Sequence, residues 1–572
     1  MTLLPGKDAP LESTLSTLPA QLTALGFVIQ ERSWLNPISG VWSVHIRDQD
    51  CPLLFTNGKG NSRDAALASA LGEFFERLSC RYFWSHYYFG ESIAQATTVH
   101  HSKERWFALP KKGVWPAGLL SPTLREFYDP DISLERELLV DRNSGNQKRG
   151  VCALPYTRHR DGEEVYFPVA VLGSLYVSNG MAAGNTINEA RTQALSEILE
   201  RYVKFDVIRT ARCLPDIPQA VIDDHPTVAQ GIAELRAAGF GILVKDASLG
   251  GIYPVVNVTL LNPHDQGCFA SFGAHPQFSV ALERALTELL QGRGLDALNG
   301  FHAPGFELEE IADASNLEIH FVDSSGIISW EFLRAIPDEP WQAWNHPGST
   351  AEEFEWLCGL IEGKGHDIYI ADYDDLGVYG CRIVVPGMSE IYPVDDLEWD
   401  NPSAANELRP ALLNLPALDS EACLDLLDQL ENLGVADQQR VAAWIGLAAD
   451  PDTLWHDLRI GELKTLLALA GEDHEAVLAG CDWIRQFEHM PVERQRVYRC
   501  IGDLLRLDDA EPYLTNLNLL YGEETLGVAR AHLDGTQRFF NLSAPGMALQ
   551  GCNLHQRLLQ AYRKVSPWLA VS

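Results

Sequence analysis

The sequence predicts a mixed α+β (α/β) domain over residues 1–395, followed by an all-α domain over residues 400–572. In the first part, strand-like runs such as residues 165–172 and 377–385 alternate with helical segments. Beyond a stretch rich in Pro and Asp at residues 392–402, strand signals nearly vanish and Leu and Ala recur with helical periodicity. Since 572 residues are too many for one ordinary core, we expect a domain boundary near residue 400.

The overall composition indicates a globular cytoplasmic protein. Lys and Arg number 44 against 78 Asp and Glu, and the net charge of -34 would repel nucleic-acid phosphates, which argues against direct nucleic-acid binding. No apolar run approaches the roughly 18 residues of a membrane span, and the first residues do not resemble a secretion signal. The eleven cysteines are scattered singly, which is typical of a reduced compartment and not of a structural zinc site.

One short helix motif recurs in the first half of the chain, in copies that begin at Ser69, Gln193 and Arg284. Each copy runs polar, Ala, Leu, small, Glu, two apolar residues and then an acid or its amide. Because a helix turns by about 100° per residue, positions i, i+4 and i+7 share one polar face. These stripes are Ser69, Glu73 and Glu76, then Gln193, Glu197 and Glu200, then Arg284, Glu288 and Gln291, with Glu189 three turns before Glu200.

Two interpretations of these stripes are open. They are the solvated faces of ordinary amphipathic helices, or they converge on a bound cation. A solvated face usually places Lys four residues from Glu, because like charges one turn apart are destabilising. None of the stripes contains Lys, and two of them place acids three residues apart, which suits a hard cation bound through oxygen. The pattern therefore favours a metal site.

The segments that lead into the helices indicate what else binds there. Residues 55–62 and 176–186 each run from a strand-like piece through glycines to Asn-Ser or Asn-Thr, an N-cap signature. A strand, a glycine turn and a helix N-terminus form an anion site, although no Walker-type or Rossmann-type glycine motif is present. Carboxylates alone would repel phosphates, so metal ions must bridge them, with Arg201 and Arg284 as direct contacts. Together these features predict a nucleoside triphosphate with magnesium.

At these three motifs the sequence resembles the YcaO family, whose members use ATP to activate peptide backbone amides. The resemblance covers roughly residues 1–395 and rests on three spaced motifs in order, which run from Ser69 to Arg77, from Glu189 to Arg201 and from Arg284 to Glu288. It implies that two Mg²⁺ ions are held among Glu73, Glu76, Glu189, Glu197, Glu200 and Glu288. It also implies that Lys7, Ser69, Asn185, Arg201 and Arg284 contact ATP. Lys7 is singled out by the resemblance alone.

The resemblance further implies a reaction in which the amide oxygen attacks ATP and a thiol, hydroxyl, sulfide or amine then attacks the amide carbon. Such chemistry needs no protein nucleophile, in agreement with the lack of a nucleophile signature in the sequence. His275, just before the third helix, is a candidate proton carrier, and a structural hydrogen-bonding role is the competing interpretation.

The helical tail departs from the azoline-forming members, which commonly end in a proline-rich segment. Residues 461–476 suggest a helix, a glycine turn and a helix, and residues 497–511 are a looser copy. We expect a short tetratricopeptide-like array, with an ordinary helical bundle as the alternative. Family resemblance implies an accessory factor for a radical-SAM methylthiotransferase that modifies an aspartate of a small-subunit ribosomal protein, and a homodimer.

Three functions are therefore considered. The first is an ATP-hydrolysing enzyme acting on a protein or peptide, which includes cyclodehydration and thioamidation. The second is an adaptor in which ATP is structural and the tail recruits partners. The third is a metal-binding protein that takes no nucleotide.

Overall fold

The computed structural model describes residues 1–111, 114–486 and 490–570. Twelve strands form three sheets in the described residues, and every strand pair is antiparallel. They are β1 (Ile29–Ile38), β2 (Val41–Asp48), β3 (Phe55–Gly60), β4 (Arg105–Phe107), β5 (Val151–Arg158), β6 (Glu164–Pro168), β7 (Met181–Gly184), β8 (Gly241–Asp246), β9 (Val255–Leu261), β10 (Cys268–Ala274), β11 (Tyr369–Tyr373) and β12 (Tyr379–Val384).

The sheets have the orders β1-β2-β3, β10-β9-β8 and β4-β5-β11-β12-β7, with β6 paired to β5. The first two are meanders whose consecutive strands follow one another without a crossover helix, so the antiparallel α+β form of the prediction is the one observed. The strand-like run at 165–172 is a strand only as far as Pro168, because residues 169–171 turn into a short helix.

The helices flank these sheets in the first part of the chain and dominate the second. Up to residue 400 they are α1 (Leu11–Ala24), α2 (Arg63–Ser79), α3 (Gly90–Ala94), α4 (Pro122–Tyr128), α5 (Val169–Val171), α6 (Ile187–Arg209), α7 (Gln219–Asp223), α8 (Pro226–Ala237), α9 (Phe278–Leu289), α10 (Leu308–Ala312), α11 (Ala314–Val322) and α12 (Thr350–Gly363). After it they are α13 (Arg409–Leu412), α14 (Ser420–Asn432), α15 (Val441–Ile445), α16 (Ile460–Ala470), α17 (His474–Gln486), α18 (Val492–Arg506), α19 (Leu514–Tyr521), α20 (Glu523–Leu533) and α21 (Asn553–Lys564).

Each copy of the recurring motif lies on a helix that follows a strand: α2 after β3, α6 after β7 and α9 after β10. Ser62 caps α2 by accepting from the Ala65 N–H at 3.2 Å, and Thr186 caps α6 by accepting from the Glu189 N–H at 3.2 Å. These two N-caps confirm the prediction from Asn-Ser and Asn-Thr. The third helix, α9, has Gln277 at its N-cap position, and no side-chain hydrogen bond caps it.

Three of the glycines that precede the helices allow close packing between a strand and a helix, whereas the sequence predicted turns. Gly58, Gly184 and Gly273 lie inside β3, β7 and β10, not in turns. A Cβ on Gly58 would come within 2.0 Å of a carbonyl oxygen of α2. On Gly184 and Gly273 it would come within 2.7 Å and 2.4 Å of a backbone nitrogen of α6 and α9. Their missing side chains let each helix backbone approach its strand closely.

The helical second part shares a core with the first. No strand follows Val384 in the portions of the chain that the structure describes, which confirms a largely helical region there. One hydrophobic cluster includes Phe74 and Phe75 of α2 together with Leu463 and Tyr498 of the helical region. None of the described helices combines the length and apolarity needed to cross a lipid bilayer.

The last helix, α21, packs beside the segment that follows α2. The Trp84 indole donates to the Leu558 carbonyl at 2.9 Å, and the Tyr562 ring stacks on Phe89 with centroids 4.5 Å apart. Arg81, two residues after α2, donates to the Asp375 carboxylate and to the Val565 carbonyl, each at 2.7 Å. The end of the chain therefore supports the helix that carries the first acidic stripe.

We predict that Gly273→Ala lowers the free energy of unfolding by about 1–3 kcal/mol, because the new Cβ overpacks the contact between β10 and α9. Urea denaturation followed by circular dichroism measures this change. Gly359→Ala is the matched control, since that helical glycine has nothing within 4 Å of the added Cβ. The control should stabilise the protein by up to about 1 kcal/mol. Equal stability of the two variants would contradict the packing role of Gly273.

Candidate functional site

The polar stripes of α2, α6 and α9 face one cavity of about 530 Å³. Every site residue predicted from the sequence lines this cavity. These residues are Lys7, Ser69, Glu73, Glu76, Asn185, Glu189, Glu197, Glu200, Arg201, His275, Arg284 and Glu288. The stripes are therefore not the solvated faces of independent helices, because they share an interior.

Within the cavity, most of the predicted acidic ligands are paired with cationic side chains. Lys7 pairs with Glu189 at 3.1 Å, Arg77 with Glu73 at 3.2 Å and with Glu76 at 3.5 Å, Arg201 with Glu197 at 2.8 Å, and Lys59 with Glu288. Over residues 1–111, 114–486 and 490–570, no three His, Cys, Asp or Glu side chains come close enough to hold a metal ion together. The acids share a cavity, but metal binding requires some of these ion pairs to exchange partners.

Burial in the cavity disfavours the charged form of Glu76. Glu76 is only 9% exposed, and burial raises its pKa well above the ordinary value. The positive charge of Arg77 opposes that rise, while the nearby carboxylates of Glu197 and Glu73 add to it. Carboxylate oxygens are the ligands that Mg²⁺ prefers. The donor set therefore fits a hard divalent cation.

Lys59 is a cavity residue that the sequence analysis missed. It lies on β3 between Gly58 and Gly60, and its ammonium pairs with Glu288 of α9. Burial lowers the pKa of Lys59 to about 8, although the charge of Glu200 opposes this. Lys59 lies on a strand, outside the helix faces that carry the acidic stripes. The available signal was a lysine between two glycines on the strand directly before the first helix.

The two arginines predicted to contact phosphates are held by neighbouring groups. Arg201 donates to the Asn179 side chain at 3.1 Å, and its guanidinium lies over the Phe321 ring at 4.7 Å from the centroid. Arg284 donates to the Ala274 carbonyl at 2.8 Å. Both side chains therefore reach the cavity from fixed positions, as a site that recognises a fixed arrangement of oxygens requires.

Glu189 is more fully bonded than a free metal ligand. Its carboxylate accepts from the Lys7 ammonium at 3.1 Å, from the Asp8 N–H at 3.0 Å and from the Asn185 amide at 3.1 and 3.0 Å. Asn185 in turn accepts from the Thr14 hydroxyl at 2.9 Å. In this arrangement Glu189 anchors the start of the chain at one end of the cavity.

His275 is buried beside this anchor and is 4% exposed. Its Nδ1 accepts from the Gln277 N–H at 3.0 Å, which assigns the ring proton to Nε2. Burial lowers the pKa of His275 to about 3, and the positive charges of Arg284 and Lys7 lower it further. The ring is therefore neutral near pH 7, with the hydrogen-bonding role that the competing interpretation predicts.

Comparison with known families identifies the chain. The model of the YcaO cyclodehydratase domain, described as ATP- and Mg²⁺-binding, matches residues 57–389, and the model of the YcaO cyclodehydratase C-terminal domain matches residues 405–568. The chain belongs to the YcaO family. The YcaO domain model spans all three helices of the motif but begins after Lys7.

Two relatives match this YcaO chain over nearly its whole length. It is 49% identical over 573 residues to an Escherichia coli (strain K12) protein described as the ribosomal protein S12 methylthiotransferase accessory factor YcaO, covering 99% of this chain and 98% of the relative. It is 45% identical over 574 residues to an uncharacterised Haemophilus influenzae protein, covering 99% of this chain and 98% of the relative.

Solved structures of the YcaO type are more distant. A heterocyclase in complex with substrate and cofactor has a TM-score of 0.46 at 17% identity, covering 69% of this chain and 56% of that one. A YcaO from Methanopyrus kandleri bound with AMPPCP and Mg²⁺ has a TM-score of 0.40 at 19% identity, covering 68% of this chain and 93% of that one. At such low similarity neither structure informs on the ligands of this chain.

We predict that Lys59→Met destabilises the metal-free protein by about 1–2 kcal/mol, because it leaves Glu288 uncompensated in a partly buried site. Added Mg²⁺ should then raise the melting temperature of this variant more than that of the wild type, since the cation replaces the lost positive charge. Differential scanning calorimetry with and without Mg²⁺ measures both effects. Lys148→Met, at an exposed lysine, is the control. An identical Mg²⁺ response in all three proteins would contradict the charge balance described for the cavity.

Proposed function

We propose that this chain binds and hydrolyses ATP with magnesium and acts as an accessory factor in the methylthiolation of ribosomal protein S12. The gathering of three acidic stripes and two arginines in one cavity supports the ATP and magnesium part. The accessory role is supported by 49% identity over 99% of the chain to the relative of that name. The expected partners are a radical-SAM methylthiotransferase and the ribosomal protein, in the cytoplasm, with the chain acting as a homodimer.

The proposed residue roles are those that the family resemblance implies, and the residues concerned line one cavity. Six glutamates would hold two Mg²⁺ ions, and Lys7, Ser69, Asn185, Arg201 and Arg284 would contact the nucleotide. Bound Mg²⁺ offsets the charge of the triphosphate and stabilises charge that develops during transfer.

The ion pairs supply a physical route to this binding. If Arg201, still held by Asn179 and Phe321, donated to a phosphate oxygen in place of Glu197, the carboxylate of Glu197 would become available to a cation. Lys59 and Glu288 can separate in the same way. Nucleotide and metal would therefore bind together, because each releases the group that the other needs.

An adaptor function is the second candidate, and one observation favours it. The helical region 405–568 shares its core with α2, and Arg81 links the end of α2 to α21 through the Val565 carbonyl. We propose that exposed faces of its tetratricopeptide-like helices bind a partner protein. Because the core is continuous, deleting this region would expose apolar surface of the first domain, so the two functions are better separated by single substitutions.

Under the enzymatic proposal, Glu76→Gln and Glu200→Gln should each lower ATP turnover by a factor of about 100 or more, because an amide is a poor ligand for Mg²⁺. Phosphate release from purified full-length protein measures turnover, and titration calorimetry with ATP, with and without Mg²⁺, measures binding. Glu493→Gln, at an exposed acid of the helical region, is the control. Unchanged hydrolysis in both cavity variants would refute the proposed role of the stripes. Binding of Mg²⁺ by a protein that binds no ATP under either condition would support the metal-only alternative.

The same Glu200→Gln variant separates enzyme from adaptor. In cells that lack the native copy, mass spectrometry of ribosomal protein S12 reports the methylthio group. If hydrolysis is required, we expect methylthiolation to fall to the level of cells without the protein. Full methylthiolation by a variant that binds ATP but does not hydrolyse it would support the adaptor. Formation of an azoline or thioamide in a peptide would support the cyclodehydratase or thioamidation alternative.

A further inference from the structure

The start of the chain crosses one end of the cavity as an N-terminal arm (residues 2–10). Gly6 in this arm has a positive φ of 70°, and its backbone rests against the edge of the His275 ring. A Cβ at Gly6 would lie 2.6 Å from the His275 Nε2, closer than such a contact allows. With the imidazole directly beneath it, the arm can take this path only with glycine at position 6.

A buried carboxylate lies beside the imidazole. Glu353 on α12 is 1% exposed, and its Oε1 accepts from the Gln277 side-chain amide at 2.6 Å. Its Oε2 lies 3.7 Å from the His275 Nε2. Gln277 therefore links the two residues, since its N–H holds one side of the ring and its amide holds the carboxylate.

Asp8, on the other side of Lys7 from Gly6, is held by three hydrogen bonds. The Asp8 carboxylate accepts from the hydroxyl of Thr186 and, at 2.7 Å, from that of Thr350, and the Asp8 N–H donates to Glu189 at 3.0 Å. These partners lie at the N-termini of α6 and α12, while His275 precedes α9. Lys7 itself keeps 39% of its side-chain exposure and reaches into the cavity between the two anchors.

We propose that His275 and Glu353 are positioning residues that, through Gly6, hold Lys7 in place for the nucleotide. The inference rests on the proposed function, in which Lys7 contacts ATP. Fixing the backbone on both sides of Lys7 removes conformational freedom that binding would otherwise have to remove. Burial keeps the His275 ring neutral, and a neutral ring places no second positive charge against Lys7.

The first test compares Gly6→Ala with wild type in the full chain. We expect the Kd for Mg-ATP to rise about tenfold, with kcat at saturating ATP within about twofold, because the variant weakens the position of one charged contact only. Gly162→Ala is the control, since its glycine has a similar φ of 75° and nothing within 4 Å. That control should bind ATP like the wild type.

A double-mutant cycle shows whether Gly6 acts through Lys7. In a Lys7→Met background, Gly6→Ala should weaken ATP binding no further, because the group it positions is absent. An equal, additive loss in that background would overturn the proposal. His275→Asn keeps an acceptor for the Gln277 N–H but lacks Nε2, whereas Glu353→Gln keeps the shape of the carboxylate. The rise in Kd caused by His275→Asn should therefore be closer to that caused by Gly6→Ala than the rise caused by Glu353→Gln.

Hydrogen exchange without nucleotide provides a readout that does not depend on ATP. We expect the Asp8 amide to exchange at least about tenfold faster in Gly6→Ala and His275→Asn than in wild type or Gly162→Ala, because its bond to Glu189 is loosened. Unchanged exchange of this amide would overturn the role of His275 as an anchor. Failure of the wild type to bind Mg-ATP would instead refute the proposed function while the arm measurement stands.

Discussion

The close contact between three helices and the strands before them determines where the polar side chains of this protein meet. At Gly58, Gly184 and Gly273, the strand backbone lies so near a helix that a methyl group would collide with it. That proximity leaves little freedom for each helix to roll or slide, because backbone cannot yield as a side chain does. The polar stripes consequently face one another across a single cavity, while the opposite faces pack into the cores.

The cavity so formed brings many charges into a partly buried space. Buried carboxylates are tolerated there because arginines and lysines lie among them, as in the contact of Arg77 with both Glu73 and Glu76. The positive and negative charges are balanced pair by pair. Each ion pair joins a predicted metal ligand to a cationic group of the kind that can bind phosphate. Under the proposed function, nucleotide and cation would replace internal partners without leaving buried charges uncompensated.

The helical region contributes to this site from a distance. Its core continues into that of α2, and Arg81 holds the end of α2 against Asp375 and the Val565 carbonyl. A partner bound to the helical region would thus act on a helix whose other face carries Glu73 and Glu76. The two parts of the chain have different composition and secondary structure, yet they form one mechanical unit.

Much of the site was predictable because many of its residues are marked by patterns that extend over only a few positions of the sequence. Helical periodicity placed Glu73, Glu76, Glu197 and Glu200 on polar faces, and the Asn-Ser and Asn-Thr pairs marked two helix starts, as Ser62 and Thr186 confirm. The strand, glycine and helix order was also visible, although the glycines were interpreted as turns. Their role in the structure is to let a strand pack closely against a helix, and no local sequence pattern shows which helix backbone lies beside each glycine.

The sequence by itself determined the acidic faces, the helix starts, the change to a helical tail and the YcaO family. Only the tertiary structure decided which charges are paired, that Lys59 belongs to the cavity, and that Gly6 rests on His275. The reason is the range of the interactions. Periodicity and capping act within a few residues, whereas Lys7 and Glu189 are 182 residues apart and meet only after the sheets and helices have packed.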